Sequence, residues 1–129
     1  MSSAKSVLVI GLQPQLLDFS DPAYAAFPDL TAGKIQSALD SDNAYLNSLG
    51  YEAKLCLTDL GETAADVVTA ELKQKRYDCV VIGAGVRTIP KHFLLFEQLI
   101  NVVREHAPQA KICFNTKPDD TAKAVRRWI

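Results

Sequence analysis

The stretch Tyr77 to Arg87, YDCVVIGAGVR, constrains the fold more than any other. Cys79 to Ile82 is apolar without a break. A short run with no polar alternation reads as a strand buried on both faces. Gly83-Ala84-Gly85 then ends it, and a backbone without Cβ atoms can turn there or be approached closely. Arg87 follows, and after it a helix. This order describes a central strand of a parallel sheet. Such a strand delivers its loop to the carboxyl edge, where open α/β folds place their sites.

The same pattern recurs on both sides. Ser6 to Leu12, SVLVIGL, is a first strand, again apolar on both faces. Tyr51 to Thr58, YEAKLCLT, is a second, and the alternation of Lys54 with Leu55 suits a sheet edge. Lys111 to Thr116, KICFNT, is a fourth. Between them Thr31 should cap a helix running to about Leu49, with Ile35, Ala38, Leu39, Leu46 and Leu49 as its buried stripe and Gly50 as its terminator. Thr63 with Asp66 resembles a capping box for a helix to about Lys75, buried through Ala64, Val67, Val68 and Leu72. A third helix, Lys91 to His106, carries Phe93, Phe96, Leu99, Ile100 and Val103 on one broad face, continued by Ala107. Leu95 and Val102 widen that face, and Leu94 lies apart. Thr116 should cap a last helix with Pro118 in its first turn, and Trp128 should pack back on the body.

Strands alternating with helices imply a parallel sheet with right-handed crossovers. The expected architecture is one α/β domain over residues 1–129. It has three layers, α/β/α, around a four-stranded parallel sheet of order 2-1-3-4. Leu12 to Gln15 would then face Gly83 to Thr88 across a crevice at the switch point. Residues 13–30 form a long connection whose Pro14, Pro22 and Pro28 rule out a long helix. Its Leu16, Leu17, Phe19, Tyr24 and Phe27 call for an ordered strap over the carboxyl edge or along a flank.

Composition excludes several classes. At 129 residues, 48% apolar and 22% charged, the chain is an ordinary globular domain. A net charge of −1 gives no basic field for nucleic acid or an anionic membrane. Nothing approaches the roughly 20 apolar residues of a membrane helix. MSSAKS is too short and polar for a secretory leader, so a cytoplasmic location is expected. Cys56, Cys79 and Cys113 have no metal-ligand spacing and read as buried thiols, not a disulfide framework. No metal and no cofactor are expected.

From Leu49 to Thr116 the chain resembles the middle of a response-regulator receiver domain. LGYEAKLCLTDLGETAADVV is similar to a receiver's second strand and helix, and YDCVVIGAGVRTIP to its third strand and loop. INVVREHAPQAKICFNT is similar to the end of its third helix and its fourth strand, which closes on a hydroxyl residue, here Thr116. The resemblance implies a flavodoxin-like fold. Gly83 stands where a receiver has its phosphoacceptor Asp, and Gly11, Leu12 and Gln13 where it has the acidic pair that binds Mg²⁺. The final receiver strand and its lysine have no counterpart among the four units. These departures argue against aspartyl phosphorylation.

The remaining candidates cluster at the crevice. Gly83-x-Gly85 is half of a dinucleotide fingerprint, after the wrong strand and without its third glycine. Arg87 and Lys91 flank a helix start and suit a carboxylate or phosphate, unless Arg87 pairs with Asp18 or Asp59. His92 is near the crevice, and His106 sits at a helix end where a structural role suffices. No Gly-x-Ser-x-Gly elbow exists and no serine follows the first strand. The three cysteines precede their strand ends, which makes them poor nucleophiles.

Two functions follow. One is a non-enzymatic binding or interaction module, with Gln13, Gly83, Gly85, Arg87 and Lys91 around a small anionic ligand or a protein partner. The other is a small hydrolase- or transferase-type enzyme with His92 as its acid-base group. The wide face of the third helix serves either a deep core or a homodimer contact. Because no acceptor Asp or acidic pair is present, acetyl phosphate with Mg²⁺ should leave the intact mass unchanged. A stable adduct of one phosphoryl group would contradict this.

Overall fold

The computed structural model describes residues 4–129. Its sheet contains β1 (Ser6–Leu12), β2 (Glu52–Thr58), β3 (Cys79–Ile82) and β4 (Lys111–Phe114) in the order β2-β1-β3-β4. Every neighbouring pair is parallel. The helices are α1 (Ala32–Ser48), α2 (Ala64–Gln74), the short α3 (Ala84–Arg87), α4 (Phe93–His106) and α5 (Thr121–Arg126). Tight helical turns at Pro90–His92 and Pro118–Asp120 precede α4 and α5. The result is the flavodoxin-like arrangement. Among the described residues no helix is long and apolar enough to cross a membrane.

Strand periodicity divides the core in two. Leu8, Ile10 and Leu12 of β1, with Val80 and Ile82 of β3, pack with Val68 of α2 and Leu99 of α4. Val7, Val9, Cys79 and Val81 face the other way and meet Leu46 of α1 and Val125 of α5. Each such aliphatic side chain, removed from water, contributes about 1.5–3 kcal/mol before chain entropy is charged against it.

The helices bury narrower rows than their apolar residues suggest. In α2 the buried row is Ala64, Val68 and Leu72, four apart, which leaves Val67 on the flank at 40% exposure. In α4 it is Leu95, Leu99 and Val103, so Phe93 falls on the flank and is exposed, as is Leu94. At the C-terminus Val125 and Ile129 turn inward, and Trp128 stays exposed instead of packing back. Leu49, at the end of α1, is also exposed.

Two caps differ from expectation. Thr63 makes no side-chain cap. Its hydroxyl donates instead to Asp59 at 2.6 Å, and the Asp59 carboxylate also accepts the N–H groups of Thr63 at 2.9 Å and Gly61 at 3.0 Å. Thr116 lies outside the last helix, and its N–H and hydroxyl bond the Asp120 carboxylate. Thr31 does cap α1, accepting from the Lys34 N–H at 3.2 Å.

The Thr63 hydroxyl, first, and the surrounding N–H groups hold the Asp59 carboxyl below its ordinary value. Stability from Asp59 is therefore present above its unfolded pKa of about 3.9 and is lost as pH falls through the lower folded value. Asp59→Ala should lower the melting temperature at pH 7, and the gap from wild type should close in strongly acidic buffer. Thermal melts across pH check this, and a gap independent of pH would contradict it.

Candidate functional site at the sheet switch point

β1 and β3 part company at their carboxyl ends. Pairing between them stops at Ile10 and Ile82, while β1 stays in register with β2 through Leu12 and Thr58. The Gly83 N–H still donates to the Ile10 carbonyl at 2.9 Å. An added Cβ on Gly83 would stand 3.2 Å from that same oxygen, a tight contact that the backbone could accept only by shifting a few tenths of an ångström. The chain then turns into α3 and leaves a notch beside the end of β1.

The strap, residues 13–30, covers this notch without filling it. Gln13 donates its N–H to Thr58 at 2.9 Å, and the later backbone bonds of the strap are short-range steps such as Tyr24 to Asp21 and Phe27 to Tyr24. The Asp21 carboxylate caps one turn by accepting the Ala23 N–H at 2.9 Å. Phe19 and Tyr24 pack ring to ring at 5.3 Å. Lys91 approaches Asp18 at 4.0 Å and Asp21 at 3.9 Å from the opposite wall.

A cavity of about 890 Å³ lies beneath. The strap contributes Leu17, Tyr24, Phe27 and Leu30, the sheet Ile10 and Leu12, and α1 Ile35 and Leu39. The far wall is Ala84, Gly85, Val86 and Ile89, with Asn115, Thr116 and Lys117 at the end of β4. The stripe expected to bury α1 thus divides. Leu46 is fully buried, while Ile35 and Leu39 are half-buried and face the cavity.

Of the residues singled out from sequence, Gly83, Gly85 and Lys91 line this cavity, and Gln13, Arg87 and His92 are not among its lining. Gln13 is exposed and extends the β1–β2 pairing. Arg87 is half-buried, donates to the Asn115 carbonyl at 2.8 Å and lies over the Phe114 ring at 5.8 Å. It therefore clamps α3 to the end of β4. His92 is 5% exposed. Burial, and then the charge of Lys91, lowers its pKa and favours the neutral ring. Burial first pushes the Cys56 thiol up to about 11. Cys79 and Cys113, with sulfurs 3.3 Å apart, share a hydrogen bond that, with burial, raises the Cys79 pKa.

Sequence reasoning missed Asn115. It is 4% exposed, accepts the Ala84 N–H at 2.8 Å and donates to the Thr121 hydroxyl at 2.8 Å. Its signal is a polar side chain directly after the apolar fourth strand, at the carboxyl edge. Lys117, two residues on, was equally legible by position.

The fold and site together define a flavodoxin-like α/β domain with an apolar cavity at its switch point. The chain matches no known family model, and no curated protein matches it. Removing the guanidinium clamp should cost stability. Arg87→Ala should lose about 1–3 kcal/mol in denaturant unfolding, the range for a charged hydrogen bond and its packing. Arg87→Lys should restore only part, because an ammonium lacks the planar fork. A change below about 0.5 kcal/mol would contradict the clamp.

Proposed function

We propose that this protein is a non-enzymatic binding module that takes a small, mainly apolar ligand in the switch-point cavity. One observation carries the reading. Apolar side chains from the strap, α1 and α3 surround about 890 Å³ and leave it open. Ordered small-molecule sites have this size and this mixture of apolar walls with a few polar groups. Leaving Ile35, Leu39 and Phe27 uncovered forgoes burial that a closed core would gain, and an occupant recovers it.

The enzymatic reading has less support. His92 is buried and is not among the residues that line the cavity, and the three thiols are buried. A homodimer through α4 also has less behind it, since its central row is spent on the core and Phe93 and Leu94 stand outside. A cytoplasmic setting belongs to the proposal, because three free cysteines suit a reducing compartment. The receiver resemblance enters as a scaffold whose phosphorylation corner is replaced by an apolar cavity.

Gly85 supplies the test. A Cβ there meets nothing within 4 Å, and the residue lines the cavity. Gly85→Leu should therefore fold normally by circular dichroism while projecting a side chain into the space. The neutral dye phenylnaphthylamine should brighten and saturate with wild type and bind more weakly to Gly85→Leu. Equal brightening in both proteins, or none in wild type, would overturn the reading.

A further inference from the structure

Resting on the cavity reading, we infer that residues 18–28 of the strap are a flap that swings outward as one unit to admit a ligand, and that Lys91 latches it shut. The hydrogen bonds of this segment stay inside the strap. The N–H groups of Asp21, Tyr24, Ala25 and Phe27 donate to the carbonyls of Asp18, Asp21, Pro22 and Tyr24. The Asp18 carboxylate accepts the Ser20 N–H at 3.0 Å, and Asp21 accepts that of Ala23 at 2.9 Å. Among the described residues no hydrogen bond joins residues 18–28 to the sheet, α1, α3 or α4. The segment therefore keeps its turns, and its polar groups satisfied, whether it lies down or swings away.

Its packing is equally self-contained. None of residues 18–28 is buried, and Phe27 is 61% exposed. The Phe19 and Tyr24 rings rest on each other and move together. Tyr24 and Phe27 face the cavity, so lifting them breaks little contact with protein. Firmer anchors flank the segment and mark its hinges. Pro14 is buried and Leu17 packs against the core. At the other end the Lys34 ammonium donates to the Asp29 carbonyl at 2.9 Å, and Thr31 caps α1. Between the hinges, the ion pairs that cross to the opposite wall among the described residues are those of Lys91, 4.0 Å from Asp18 and 3.9 Å from Asp21. Pairs this exposed hold weakly and are screened by salt, which suits a latch that opens thermally.

Lys91→Glu turns both attractions into repulsions and supplies the test. The thiol introduced by Leu39→Cys, on the α1 wall beneath the flap, reports opening without any ligand. In dilute buffer Lys91→Glu should speed its alkylation by N-ethylmaleimide about fivefold, and about 0.5 M salt should remove most of that difference. Buried Cys56, Cys79 and Cys113, followed in the same samples by peptide mass, should show no such change. In stopped flow, Lys91→Glu should speed both association and dissociation of phenylnaphthylamine by a common factor, since loss of a wall contact would speed dissociation alone. Alkylation indifferent to Lys91→Glu, or dye dissociation accelerated without association, would overturn the flap and leave the cavity reading intact. No dye binding by wild type would overturn both.

Discussion

The pairing of β1 along both edges governs everything else. Its seven residues are all buried, and it is paired to β2 through Leu12 but to β3 only through Ile10. A strand sealed on both faces has to satisfy its backbone through its neighbours. Past Ile10 the two neighbours make different demands. The Thr58 carbonyl draws the chain onward through the Gln13 N–H, while the Ile10 carbonyl is closed by Gly83 as β3 turns into α3. The divergence opens the notch, and the glycine at its corner keeps a tight Cβ contact off the Ile10 carbonyl.

What surrounds the notch is a compromise between closure and space. α1 packs tightly only at its carboxyl half, through Leu46, and its amino half stands over the cavity. The strap is built from short turns and held across the opening by contacts that are individually weak. Ion pairs as exposed as those of Lys91 contribute at most about 1 kcal/mol. The opposite wall is firmer. Asn115 and Arg87 tie α3 to the end of β4, so the far side of the cavity keeps its shape whatever the strap does.

Much of the fold was legible because the sheet is parallel and its two central strands are sealed. Ser6–Leu12 and Cys79–Ile82 are apolar on both faces, a pattern that surface strands do not show, and the parallel direction followed from alternation with helices. Helix faces were read too widely. Val67, Phe93 and Leu49 are apolar at helical spacing, yet packing on a sheet selects one row four residues apart and leaves its flanks exposed. The crevice was legible as a place and less so as a surface. Gly83, Gly85 and Lys91 were found from the loop after β3, whereas Ile35 and Leu39 looked like core, since periodicity records that a residue avoids water but not whether protein or a cavity covers it. Arg87 drew attention by its charge and position, but its direction depends on a carbonyl supplied by β4, far away in sequence.

The most direct measurement is methyl-resolved NMR of the protein titrated with toluene, a neutral apolar molecule small enough to enter without moving the strap. Methyl resonances of Ile35, Leu39, Val86 and Ile89 should shift together along one saturable curve, and those of Val80 and Val103 in the closed core should stay in place. Shifts confined to Leu94 on α4, or spread evenly through the core, would contradict an open apolar cavity at the switch point.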